Sequence, residues 1–240
     1  MNKSVDACAT TTEEELAQRD EAASRLREHF QQFDWAAQSP GRRAALQAFL
    51  RLANEYGFHG VTMRLLAKEL NIKAPSLYAH FPNGKDEIVA EALRWQFAGF
   101  GESVLQAVEP TSSAEEFWNA MVRVHVTQQI VVPESNLSDL LVATDTLVHF
   151  LSPDVRRNVD LWNSLYEDMY AGAAADMGIC DSGENIRIVL AVLEQTNRWC
   201  DREQIEGGVA KAIQVSHQVL RLPALHAGMA PAEARIGVHN

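Results

Sequence analysis

Between residues 42 and 82 three short helical patterns follow one another, each closed by its own turn signal, so this stretch must fold as a compact helical cluster. Leu46, Phe49, Leu50 and Ala53 recur at i, i+3, i+4 and i+7, and Gly57 after Tyr56 ends that first helix. Beyond Gly60, Thr62 is placed as the N-cap of a second helix whose Leu65, Leu66 and Leu70 point inward. Asn71 breaks it, and asparagine is the non-glycine residue that best tolerates a left-handed corner. Pro75 suits the first turn of a third helix, which Pro82-Asn83-Gly84 stops. Leu77, Tyr78 and Phe81 are expected to pack this helix back on the first two.

Helical periods continue along the rest of the chain and strand-like alternation is absent, so the class is all-α. A long helix begins near Lys85, with Asp86 and Glu87 at its positive end, and runs through Trp95 towards Leu105. Ser113-x-x-Glu116 reads as a capping box opening a helix through Val132, and Ser152-Pro153-Asp154 opens another. The last pair is expected at Glu184–Trp199 and Glu203–Leu220. Four regions result: an N-terminal extension (1–40), a helix-turn-helix unit (41–88), a helical bundle (89–222) and a tail (223–240). In the extension, Glu13 to Trp35 can form an amphipathic helix on Leu16, Ala23, Leu26, Phe30 and Phe33.

The formal net charge of −11 argues against a nucleic-acid partner until it is divided along the chain. Residues 1–40 carry −4, residues 41–95 carry +3 and residues 96–240 carry −10. A basic module on an acidic body attracts phosphate at one end only. No apolar run is long enough to span a bilayer, and Met1 to Asp20 lacks the basic and apolar regions of a secretory signal, so a cytoplasmic protein without a membrane partner is expected. Cys8, Cys180 and Cys200 suggest neither a disulfide framework nor a zinc site and are expected to be free buried thiols. His125 and His149 lack a third ligand, so no metal or cofactor is expected. Without a nucleophile elbow, phosphate loop or metalloprotease motif, the chain does not read as an enzyme.

Two helices joined by a tight turn can set one helix in the major groove while the other braces the backbone, although many small helical proteins contain such a pair. The residues add to the geometry. Asn54-Glu55-Tyr56-Gly57-Phe58, Thr62-Met63-Arg64-Leu65-Leu66-Ala67, Leu70 through Phe81, and Gly84-Lys85-Asp86-Glu87-Ile88 together resemble the DNA-binding domain of the tetracycline-repressor family. Asn71 stands where the family often has glycine, and Ala79 where it often has a larger residue. The resemblance implies an N-terminal three-helix DNA-binding domain followed by a helical ligand-binding and dimerisation bundle. It makes Lys73, Ala74, Pro75, Ser76, Tyr78 and His80 the recognition segment on a double-stranded operator. Thr62, Arg64 and Lys85 would meet phosphates at helix starts. For Tyr78, core packing is an equal alternative, and for His80 an exposed or capping imidazole.

After residue 95 the resemblance fades, and residue types carry the reading. Phe97, Phe100, Trp118, Met121, Trp162, Tyr166, Met169, Tyr170 and Trp199 recur at helical spacing, and each is a candidate either for plain core or for the wall of an effector pocket suited to an apolar, flat or chain-like molecule. The segment from Arg156 through Trp199 resembles family regulators that answer acyl-coenzyme A thioesters or lipid and steroid catabolites. Arg123, Arg156, Arg157, Arg187, Arg198 and Arg202 could meet a coenzyme A, against ten surplus acids. By the resemblance the last two helices form a four-helix homodimer interface, with Ala191, Val192, Thr196, Gly208, Ala212 and Val215 small enough for close approach. A repressor released by its effector is the leading expectation. A ligand-dependent activator or co-repressed regulator, and a helical carrier or adaptor without an operator, are the alternatives.

Overall fold

The computed structural model describes residues 17–32, 35, 37–132 and 151–223 of the 240. Among them the chain is helical, without strands, in the order α1 (Gln18–Gln31), α2 (Pro40–Tyr56), α3 (Met63–Glu69), α4 (Ala74–His80), α5 (Lys85–Val108), α6 (Ala114–Val131), α7 (Pro153–Asp176), α8 (Gly183–Glu194), α9 (Thr196–Trp199) and α10 (Ile205–Leu220). Leu16, Phe33, Cys8, His149 and the tail beyond Pro223 lie outside the described residues. No described helix is long and apolar enough to cross a membrane.

The helix starts follow local chemistry. Ser39, Thr62, Ser113 and Ser152 each turn a side-chain oxygen to a backbone N–H three residues on, and Pro40 and Pro153 sit in the first turn after their caps. At α6 the carboxylate of Glu116 accepts from the N–H and hydroxyl of Ser112, both at 2.8 Å, so the return half of the capping box lands one residue upstream of Ser113. The expected helix Glu184–Trp199 is interrupted at Gln195. There the Thr196 hydroxyl donates to the Leu193 carbonyl at 2.5 Å and the Trp199 indole N–H to the Val192 carbonyl at 3.2 Å, giving carbonyls of the last turn other donors. Before α10 the chain makes a tighter turn at Arg202–Gln204, so that helix begins at Ile205 rather than Glu203.

Two apolar clusters divide the molecule. The smaller joins α2, α3, α4 and the first half of α5 around Leu46, Phe49, Leu66, Leu77, Phe81 and Ile88, and also takes in Val155 and Val159 of α7. The larger joins α6, α7, α8 and α10 to the far half of α5 around Trp118, Met121, Met169, Tyr170 and Leu193. Phe97 packs against both. At about 1.5 Å per residue the 24 residues of α5 form a rod of roughly 36 Å through the two clusters.

The N-terminal helix is part of the larger cluster. Leu26 of α1 is fully buried beside Ala22 and Ala23. The Asp176 carboxylate at the end of α7 accepts from the backbone N–H groups of Gln18 and Arg19, at 3.1 and 3.2 Å, and from the Arg19 guanidinium at 2.9 Å. Close approach is possible because α7 carries Gly172 there: a Cβ on it would stand 2.7 Å from the Gln18 carbonyl oxygen and 2.8 Å from the Arg19 nitrogen. Cys180, expected to be buried, is exposed beyond the turn at Gly178, while Cys200 is half-buried against Gly208; neither forms a disulfide.

Candidate nucleic-acid interface and effector core

The helix-turn-helix unit is shaped by residues at positive φ and by a side-chain cap. Gly57, at φ 71°, ends α2, and the Thr62 hydroxyl accepts from the Leu65 N–H at 3.1 Å to start α3. Asn71 takes φ 52°, and the Ile72 N–H reaches back to the Ala67 carbonyl at 3.0 Å, the closure that seals a helix end and turns the chain. α4 then leaves at once, with Pro75 in its first turn. Leu77 and Phe81 are fully buried on its inner side, whereas Lys73, Pro75, Ser76, Tyr78 and Ala79 lie outside and Ala74 is half-buried.

Tyr78 is 47% exposed, which excludes the core-packing alternative and leaves its ring on the outer face. Thr62 and Arg64 are also exposed at the start of α3. His80 differs: it is half-buried, with its imidazole so close over Gly41 that a Cβ there would stand 2.8 Å from Nε2. Lys85 is committed within the chain. Its ammonium donates to the Phe58 carbonyl at 2.7 Å and stands 4.2 Å above the centre of the Phe58 ring, and desolvation pushes its pKa down. It therefore ties the start of α5 to the turn between α2 and α3.

Arg42 is a residue of this unit that sequence reasoning missed. Its guanidinium donates to the His80 carbonyl at the end of α4, pairs with Glu87 at 3.4 Å and Glu91 at 4.0 Å on α5, and lies 4.4 Å over the Phe81 ring. One side chain thus joins α4 to the rod of α5. Its position in the first turn of α2, where a cation opposes the helix dipole, is the signal that could have marked it.

Eight of the nine aromatic and sulfur residues expected in the sensing half come together. Phe97 stacks on Trp162 at 5.5 Å, Trp162 on Tyr166 at 5.6 Å, and the series continues edge-to-face through Tyr170 to Trp118 at 5.3 and 4.8 Å. Phe100 sets its edge against Trp162 and Tyr166, and Met121 and Met169 fill the fully buried interior. The Trp118 indole donates to the Ser216 hydroxyl at 2.9 Å, and burial drives the Tyr170 phenol pKa far up. Trp199, on α9, packs half-buried against the same cluster but is not one of the stacked rings. Phe97 and Trp162 line a narrow cavity of about 20 Å³, while a wider groove of about 510 Å³ between α1 and α5 is lined by other residues, among them Phe30, Trp35, Trp95 and Leu105. Unforeseen in this core is His125, 5% exposed, whose Nδ1 is 3.2 Å from the Tyr166 hydroxyl. It falls on the apolar stripe of Trp118, Met121 and Val122, a spacing visible in the sequence but weighed there only for a metal.

Residues 45–92 match the model for bacterial regulatory proteins of the tetR family, covering α2 to the first part of α5. The chain carries the tetR-family DNA-binding domain. With that domain comes DNA-binding regulation of transcription, which is not an enzymatic function. Solved structures agree on the tetR-type fold. A TetR family transcriptional regulator, PfmR from Thermus thermophilus, is 20% identical at a TM-score of 0.59, over 74% of this chain and 97% of that one. The ketosteroid transcriptional regulator KstR2 of Mycobacterium tuberculosis is 18% identical at 0.59, over 76% and 95%. AibR, solved with isovaleryl coenzyme A and operator DNA, is 17% identical at 0.61, over 72% and 96%. No curated protein matches the chain in sequence.

Proposed function

We propose that this chain is a cytoplasmic homodimeric repressor that leaves a palindromic operator when its bundle takes up a small, largely apolar effector. The observation that carries the reading is the outer face of α4, where Lys73, Ser76 and Tyr78 stand exposed on a helix locked from behind by Leu77, Phe81 and Arg42. Donors and an aromatic ring there suit phosphates and base edges, with Thr62 and Arg64 flanking them on the backbone. Lys85 supports the interface from within, since its ammonium already has a carbonyl partner.

For the effector, the aromatic ladder suits an apolar lipid- or steroid-like molecule, in keeping with the likeness to the ketosteroid regulator KstR2. A coenzyme A thioester, as in the AibR complex, would need free arginines. Arg123 is paired with Glu206 at 2.7 Å, Arg157 with Asp154, and Arg156 donates to the Leu151 carbonyl at 3.1 Å. The dimer uses the outward faces of α8 and α10, where Ile188 and Ala191 are exposed and Val192, Gly208 and Val215 half-buried. Thr196 and Ala212 are not available to a mate, because both are already buried inside the chain by the phase of their helices.

The test is fluorescence anisotropy on DNA from upstream of its own gene across a salt series. Binding should weaken with salt, and Tyr78→Phe should weaken it further with little change in melting temperature. Absence of salt-dependent binding, together with a sedimentation mass near the 26.7 kDa of one chain, would return the protein to the carrier or adaptor class.

A further inference from the structure

We propose that Nε2 of His125 is the polar anchor of the effector site, and that it selects an uncharged molecule carrying a hydroxyl or carbonyl oxygen on an apolar frame. The inference rests on the reading of the bundle as an effector domain and adds the chemistry by which it chooses. His125 sits on α6 in a stripe that Trp118, Met121, Val122 and Val126 otherwise fill with apolar side chains. Its Nδ1 is held by the Tyr166 hydroxyl at 3.2 Å, and that hydroxyl lies 3.4 Å from the hydroxyl of Tyr170. Phe100 presents its ring edge-to-face at 5.7 Å, and the Tyr166 ring lies 5.9 Å away. Nε2 at the far corner of the imidazole is buried and, among the described residues, has no hydrogen-bond partner.

Buried polar atoms without partners are few in folded proteins, and a leucine or phenylalanine would occupy this stripe without leaving one. An imidazole whose other nitrogen is oriented by a two-tyrosine chain is, in contrast, arranged to meet something at Nε2. The side chains shown around it, Phe100 from α5, Tyr166 from α7 and Gln129 one turn along α6, bear no charge, and burial lowers the imidazole pKa to about 4, so it is neutral at pH 7. An anionic group would therefore be buried without a countercharge, whereas a neutral oxygen costs nothing in charge. If Tyr166 donates to Nδ1, Nε2 carries the proton and donates to a carbonyl; if Nδ1 donates, Nε2 accepts from a hydroxyl. Phe100 belongs to α5, so a molecule held at Nε2 packs beside the rod that leads to the reader.

The experiment uses the full chain and four probes of one shape, 2-methylnaphthalene, 2-naphthol, 2-acetylnaphthalene and 2-naphthoate, titrated calorimetrically, with operator binding followed in the same samples. 2-Naphthol or 2-acetylnaphthalene should bind about tenfold more tightly than 2-methylnaphthalene, the worth of one buried hydrogen bond. Which of the two wins separates the hydroxyl from the carbonyl. The preference should vanish in His125→Phe with the 2-methylnaphthalene affinity kept, and survive in part in His125→Gln. In the wild-type protein the Nε2 nitrogen resonance of His125 should move on binding, a readout that needs no variant. An undiminished preference in His125→Phe, a preference for 2-naphthoate, an unmoved resonance or no saturable binding of any probe would overturn the anchor. Loss of the anchor with operator binding intact leaves the regulator standing; loss of operator binding removes the regulator itself.

Discussion

Replacing Gly172 by alanine tests the docking of α1 more sharply than deleting the helix would. In the middle of a helix, glycine to alanine is ordinarily stabilising by about 0.5–1 kcal/mol, since alanine restricts the unfolded chain. At Gly172 the added Cβ would meet the Gln18 carbonyl oxygen at 2.7 Å and the Arg19 nitrogen at 2.8 Å, backbone atoms that cannot swing aside as a side-chain tip can. Overpacking of this kind costs roughly 1–3 kcal/mol, which exceeds the gain and leaves a net loss of about 1–2 kcal/mol. Gly99 provides the control. It is exposed in the interior of α5 and a Cβ there meets nothing within 4 Å, so Gly99→Ala should stabilise by about 0.5–1 kcal/mol. The assay is urea unfolding at fixed protein concentration, with unchanged m-values for both variants. A midpoint that rises in Gly172→Ala as it does in Gly99→Ala would show that α1 does not lie on α7 in this register.

Asn71→Ala should cost roughly 1 kcal/mol because alanine is disfavoured at φ 52°, while Asn71→Gly should stay within a few tenths, as thermal melts would show. Acidification should reveal His125: the unfolded chain binds a proton near pH 6.5 that the folded chain refuses until about pH 4, so this stability is complete above pH 6.5 and lost as pH falls to about 4. The loss by pH 4.5 amounts to roughly 2–3 kcal/mol, read as a wild-type urea midpoint that falls further than that of His125→Phe; equal falls would contradict it. Ser216→Ala should remove the acceptor of the buried Trp118 indole and cost about 1–3 kcal/mol, with a change in the near-ultraviolet tryptophan signal.

Local chemistry wrote the reader into the sequence. The stop at Gly57, the cap at Thr62, the left-handed corner at Asn71 and the proline start of α4 each depend on a residue and its near neighbours, and all four stand where the sequence places them. The apolar spacings likewise marked Phe97 and Phe100 on one helix and Trp162, Tyr166 and Tyr170 on another as inward-facing candidates, because a helical stripe shows in the order of residues, but their meeting is a tertiary fact. What the chain order could not decide is the partner of each face. Tyr78 is as apolar as it is polar, and only the packing of Leu77 and Phe81 turned it outward. Thr196 and Ala212 are small on either side of a helix, and burial within one chain rather than against a second follows from phase. Helix α1 looked like an appendage until Gly172 and Asp176, some 150 residues away, supplied the gap and the cap that seat it. Arg42 and His125 carry the same lesson: their identities are plain in the sequence, but a carbonyl at the end of another helix and a tyrosine hydroxyl 41 residues on become neighbours only when the chain folds.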